Sequence, residues 1–263
     1  MSGSSTITEE SSRRTAREIF ERVEESAHSE LRRSPHALAF SGFAGGMSMG
    51  LTGIAVAAAM AALGDSPTSQ FVAYMVYPIG FIAVIIGRAQ LFTENTLYPV
   101  ALLLSERRHF VDTARLWSVV FVTNVLGAIT FAALAILTDA LSAPIHTRLV
   151  QLGTAAVQGS NAHIFWSGVI GGWIIALVAW MVTASHWTIG QIAVIWLLTF
   201  VVGVGHFAHC IASTGEIMSA VFAGSVSFSH YLYWLALATS GNIAGGVTIV
   251  TLLNFGQVKA END

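Results

Sequence analysis

The sequence predicts an all-α membrane protein whose chain crosses the bilayer six times, as two inverted halves of three spans with the second and fifth helices broken. Three observations predict it. Only 10% of residues are charged and 54% are hydrophobic, against roughly 25% charged in a soluble globular domain. Formal charges vanish between Arg33 and Asp65, Asp65 and Arg88, Arg115 and Asp139, Arg148 and Glu216, and Glu216 and Lys259. A spanning helix needs about 20 apolar residues, so these runs hold six helices, the Arg148 to Glu216 run taking two. Finally, small-residue phrases recur: "SGFAGG" at Ser41 to Gly46 returns as "SGVIGG" at Ser167 to Gly172, and "NVLGA" at Asn124 to Ala128 returns as "NIAGG" at Asn242 to Gly246. Each echo falls three spans after its first occurrence, as in an inverted repeat, a fold that places its site where helices are interrupted.

Residues 1–34 form a polar amphipathic segment that does not read as a cleaved secretory signal. Within it, Ile19, Phe20, Val23, Ala27 and Leu31 fall on one helical stripe, which predicts a helix lying on the membrane or against its neighbours; a gate over a pore mouth is the alternative. The membrane domain then covers 35–256, with repeats over about 36–138 and 163–255, and 257–263 form a tail. The six spans are His36 to Leu63, Gln70 to Arg88, Asp112 to Thr138, His163 to Ala184, Ile189 to Gly205, and Tyr231 to Phe255. Arg13, Arg14, Arg17, Arg22, Arg32, Arg33, Arg107, Arg108, Arg115 and Lys259 all fall on one side of this scheme, and Arg148 alone lies in a loop opposite. The excess of positive charge puts both termini in the cytoplasm.

After the second span comes "GRAQLFTENTLYP", with Arg88, Glu94 and a short apolar run; after the fifth comes "GHFAHCIASTGEIM", with His206, His209 and Glu216 and another short run. Lipid leaves irregular backbone unsatisfied, so such breaks are tolerated only where they are buried in protein or line a wet cavity. Two of them at matching places predict a pathway through the protomer. Unpaired intramembrane charges are costly, so Arg88 is expected to pair with Glu94 or Glu216. "HFAH" is a weak metal signal with no third ligand in sequence. No cofactor motif or nucleophile–base arrangement argues for an enzyme. The net charge of −3 and the lack of a basic run argue against nucleic acid. The single cysteine, Cys210, permits no internal disulfide and reads as a packing residue.

Together these motifs resemble the formate/nitrite transporter family, over roughly His36 to Gly256. "QLFTEN" is similar to the family's ELFTGN-type loop and "FAHCIAS" to its FEHSIAN-type loop. The resemblance implies an aquaporin-like protomer in a homopentamer of a bacterial inner membrane, passing small monovalent anions of weak acids. It makes His209 the central pore histidine, Thr93 the pore threonine and Asn242 the histidine's partner, with Tyr77, Phe81 and Val202 as apolar constrictions. Departures stand at Gln90, Ala208 and Glu94, and the family's vestibular lysine has no match, the one lysine being Lys259. These departures, with Glu216, are closest to the divergent YfdC-like branch. They keep open a small neutral solute or a cation as the cargo. A narrow apolar ring makes an ion's desolvation costly, so His209, the residue type that titrates near neutrality, is expected to relay a proton to the anion.

Overall fold

In the computed structural model, residues 14–260 are described, and among them every regular element is helical; Arg13 and the rest of 1–13, with 261–263, lie outside the described residues. The chain opens with α1 (Ala16–Leu31), which starts at a capping box: Thr15 Oγ1 accepts from the Glu18 amide at 3.2 Å, and the Thr15 amide donates to Glu18 Oε2 at 2.7 Å. Its buried residues are Ile19, Phe20, Val23, Ala27 and Leu31, the stripe read from the sequence. This stripe packs chiefly against protein, the half-length helix α5 (Tyr98–Glu106) and the chain's last helix α12 (Leu253–Ala260).

The spans follow. The first, α2 (Pro35–Leu63), begins at the Ser34 cap with Pro35 in its first turn and ends at Gly64, whose φ of +82° suits glycine. The second runs Pro67–Ile86 and is itself irregular: α3 (Pro67–Ala73), a 3₁₀ turn at Tyr74–Val76 and α4 (Ile79–Ile86). Pro78, which has no amide proton to offer the preceding turn, accounts for the interruption. After the first loop and α5 come the third span α6 (Phe110–Leu137), α7 (Ala143–Ala156), the fourth span α8 (Asn161–Ala184) and the fifth, α9 (Thr188–Val204). The second loop leads into α10 (Ala212–Phe222), and the last span begins as α11 (Phe228–Ala244). Five of these segments are long and apolar enough to cross a membrane, and Thr188–Val204 is a shorter apolar helix. The outer wall is correspondingly apolar: Phe40, Trp166, Leu197 and Leu253 all face outward.

Three features depart from the reading above. The stretch between the third and fourth spans forms α7, a helix that buries Leu149 and Gly153 against α10 and α2, where a plain loop was expected. The last span is not a regular helix, since Gly245–Leu252 is a π-helical stretch, and α12 carries the helix to Ala260, past the expected boundary at 256. On the face opposite α1, Arg148 forms a two-pronged pair with Asp65, at 2.6 and 2.9 Å. That bond holds the Asp65 carboxyl below the ordinary carboxylate range.

Close packing brings α2 onto α6 and α8 onto the last span. A Cβ on Gly46 would lie 2.0 Å from the Asn124 carbonyl oxygen, and one on Gly172 would lie 2.1 Å from that of Asn242. The repeated phrases thus mark two equivalent helix crossings at which only glycine fits.

Candidate functional site

The two broken-helix loops are held by matching hydrogen-bond frames. In the first half, Asn124 Nδ2 donates to the carbonyls of Gly42 (2.6 Å) and Gln90 (2.9 Å), and its Oδ1 accepts from the Phe92 amide (2.8 Å). In the second, Asn242 Nδ2 donates to those of Gly168 and Ala208 (both 2.8 Å), and its Oδ1 accepts from the Cys210 amide (2.9 Å). Ser41 Oγ receives the Gln90 amide at 3.1 Å, and Ser167 Oγ receives that of Ala208 at 2.8 Å. Both loops enter through a left-handed residue, Arg88 at φ +58° and His206 at φ +51°. An amide is the side chain that serves here, because it offers donors and an acceptor at once to unpaired backbone on both sides.

Between the loops lies one polar contact. His209 Nε2 is 2.8 Å from Thr93 Oγ1, and His209 Nδ1 accepts from the Ala212 amide at 3.0 Å; Thr93 and His209 are both fully buried. Because Nδ1 is an acceptor, the neutral ring carries its proton on Nε2 and donates it to Thr93. The Thr93 hydroxyl then keeps its own proton for another acceptor. Phe81 stands edge-on to the imidazole, with ring centroids 5.1 Å apart, and Tyr77 stacks beyond it at 5.8 Å.

A cavity approaches this centre from either side. One, of about 290 Å³, is lined by Tyr77, Val202, His206, Ser213, Glu216 and Trp234 among others. The other, of about 220 Å³, is lined by Arg88, Gln90, Leu91, Glu94 and Tyr98, with Ser26, Ser29 and Glu30 of α1 over it. Phe81, Thr93 and His209 line neither; Phe81 meets the first cavity through Tyr77, and Leu91, two residues before Thr93, lines the second. Of the residues singled out from the sequence, the fold therefore brings together Thr93, His209 and Phe81, with Tyr77 and Val202 on one approach.

Two expectations need correction. Asn242 does not bond the imidazole: it holds the backbone on either side of His209, and its three bonds leave little for a passing solute. Arg88 forms no ion pair within 4.0 Å with either carboxylate among the described residues: it shares a cavity with Glu94 without closing on it, and Glu216 lines the other cavity. The loops are joined by the Thr93–His209 bond instead. His206 and His209 do not converge on a metal, as His206 faces Tyr74 at 3.2 Å.

Sequence reasoning missed Leu91 and Trp234. Leu91 occupies in the first loop the position that His209 holds in the second, and lines the α1-side cavity; the paired asparagines were the signal that aligns them. Trp234 is buried beside the other cavity with no partner for its indole N–H among the described residues, and nothing local in the sequence marks it.

Residues 17–256 match the family model described as formate/nitrite transporter. The chain is 31% identical over 244 residues to the inner membrane protein YfdC of Escherichia coli (strain K12), covering 92% of this chain and 78% of that one. It is 30% identical to a probable formate transporter of Methanothermobacter thermautotrophicus, over 68% of this chain and 71% of the relative. Its fold is similar to that of a solved FNT family ion channel, with a TM-score of 0.81 at 18% identity, covering 91% and 98% of the two chains. A structure titled pentameric formate channel with formate bound superposes with a TM-score of 0.70 at 16% identity, over 89% and 98%.

Proposed function

The chain belongs to the formate/nitrite transporter family, and from that premise we propose that it passes small monovalent weak-acid anions of the formate and nitrite type through each protomer. The observation that carries this reading is the buried Thr93–His209 pair, hydrogen-bonded at 2.8 Å and set between two cavities. An anion crossing Phe81 and Tyr77 sheds water at a steep cost unless it is first neutralised. The relay we assign runs through the ring. A proton arrives at His209 Nδ1 as the Ala212 contact opens, the Nε2 proton moves to Thr93, and Thr93 passes its own proton to the anion. The ring is neutral before and after, but its remaining proton has moved from Nε2 to Nδ1, and it returns to Nε2 before the Ala212 amide can bond Nδ1 again. Asn124 and Asn242 act as positioning residues, keeping Thr93 and His209 in register.

The matching frames support an inverted repeat, the basic residues gathered on one side of the spans support cytoplasmic termini, and the family match ending at 256 supports the channel domain over 35–256. The apolar outer wall supports contact with lipid and with sister subunits, and the pentameric structural relative supports a homopentamer. Similarity to an inner membrane protein of Escherichia coli supports the same membrane here. The probable formate transporter and the two channel structures named above support transport in place of catalysis. A second reading rests on Glu216, whose cavity has no arginine or lysine among its lining residues, whereas Glu94 shares its cavity with Arg88. A mouth like that of Glu216 disfavours anions and suits a small neutral solute or a cation.

Purified protein in liposomes, with a pH-sensitive dye inside, tests both readings. Formate or nitrite entry with a matching internal pH change is the expected result. Urea or cation entry without anion flux would establish the second reading. His209→Asn keeps a hydrogen-bonding partner for Thr93 while removing the relay, so flux is expected to lose its pH dependence; unchanged pH dependence would exclude the relay.

A further inference from the structure

Away from the pathway, three side chains remote in sequence converge where α1 meets the corner between α5 and α6. Glu106 Oε1 lies 2.8 Å from His28 Nε2, and Glu106 Oε2 lies 3.1 Å from His109 Nε2. The two imidazoles meet edge-to-face with centroids 5.8 Å apart, and one ligand atom from each of the three residues falls within 4.8 Å of the others. All three are half-buried, so solvent reaches them and the surroundings hold them. We propose that His28, Glu106 and His109 bind one divalent transition-metal ion, with zinc as the best match, and that the ion fastens the end of α1 to this corner. The site lies outside the pathway and does not rest on the transport reading.

Two nitrogens and a carboxylate oxygen with an open fourth position form a donor set that zinc accepts, at bond lengths of about 2.0–2.2 Å. Ligand atoms within 4.8 Å of one another need only a small contraction to close around it. To bind, His109 Nε2 gives up its hydrogen bond to Glu106 and His28 Nε2 its close contact with Oε1, and each ring proton sits on Nδ1. For His109 a carboxylate is at hand: Asp112 Oδ2 lies 3.6 Å from Nδ1, so a closure of a few tenths of an ångström would give the carboxylate–imidazole hydrogen bond that orients metal-bound histidines. Arg108 bonds Glu106 through Oε2, leaving Oε1, the oxygen facing His28, free for the ion. The corner itself is strained, with Arg107 at φ +53° and His109 at φ +73°, as at positions a ligand clamp over-determines. On the other side of the site, Ser26, Ser29 and Glu30 of α1 wall one cavity. An ion on His28 therefore holds that wall in place.

The test uses full-length protein carrying no histidine tag, stripped of metal and held in detergent. Zinc is titrated by calorimetry and cobalt(II) by its visible absorption. The expected result is one ion per chain at micromolar affinity with a cobalt spectrum of low coordination number, weakened about tenfold or more in His28→Gln, His109→Gln and Glu106→Gln. Asp112→Asn should weaken binding by about tenfold, as loss of an orienting group does. Zinc should also slow amide exchange over 16–31 in the parent and not in His109→Gln. Binding that survives His28→Gln and His109→Gln unchanged would overturn the proposal, as would the lack of saturable micromolar binding in the parent. Should His28→Gln fail to fold, His109→Gln and Asp112→Asn decide it.

Discussion

Asn124 reaches back 32 residues to the Phe92 amide, and Asn242 reaches back 32 residues to that of Cys210. Around those matched bonds the halves diverge. The residue before the anchored amide is Leu91 in one loop and His209 in the other, and the residue after it is Thr93 in one and Ile211 in the other. Aligned on the asparagine bonds, each loop places one polar and one apolar side chain, in opposite order. Backbone support is duplicated and chemistry is not. The polar member of one loop therefore meets the polar member of the other, at the Thr93–His209 bond.

The largest effects should come from the shared part. Asn242→Ala orphans two buried carbonyls and an amide, each worth about 1–3 kcal/mol, so the loss should reach about 3 kcal/mol or more. Asn124→Ala should cost about as much; thermal unfolding in detergent measures both. A variant that tolerates one loss and not the other would break the equivalence of the halves. Next come the crossings: Gly46→Ala and Gly172→Ala each push a methyl into backbone oxygen and should cost about 1–3 kcal/mol, read by the same melting curves.

The part that differs should behave the other way. His209→Leu gives both loops an apolar residue at this position and removes two hydrogen bonds, one to Thr93 and one from the Ala212 amide, about 2 kcal/mol of stability. Proton-coupled anion flux should nonetheless fall by about a hundredfold or more, the scale of a lost proton-transfer group. Pairing it with Leu91→His should not restore flux, because that imidazole faces Ile211 where His209 faced Thr93. Restoration in the liposome assay would show that the loops are interchangeable.

The smallest effect lies at a contact with no counterpart in the other half. Asp65, held below its ordinary range by Arg148, contributes stability above its unfolded value of about 4. That contribution is lost as pH falls through the lower folded value. Melting of the parent and of Asp65→Asn should therefore converge only below about pH 4, and the difference above it should be slight, as for exposed pairs generally.

Much of this was legible in the sequence because it is periodic or local. The α1 stripe, the charge-free spans, the proline and serine starts of helices and the echoed glycine phrases each declare themselves within a few residues. Thr93 and His209 were legible because their loops keep a family pattern. What stayed hidden depends on distance across the fold. Which cavity Arg88, Glu94 and Glu216 face is set by how the two loops turn, so an economical pairing rule failed there. Asn242 was read through its neighbour His209 because sequence names a residue's vicinity and not its bond. His28, Glu106 and His109 meet only when α1 docks, and α7 looked like a loop because its apolar face is narrow, with Leu149 and Gly153 its buried residues.

The asparagine frames grip main-chain atoms alone, and any residue owns such atoms. Residues at 91, 93, 209 and 211 can therefore be exchanged without altering the asparagine frames, although a change at 93 or 209 also removes the bond that joins the loops. A lineage can retune the identity of its cargo by single substitutions while inheriting the seat unchanged, and the departures at Gln90, Glu94 and Ala208 sit beside positions where that freedom exists. For an engineer the same separation makes this loop pair a socket: the mount is specified by Asn124 and Asn242, Ser41 and Ser167, and Gly46 and Gly172, and the insert is open to choice.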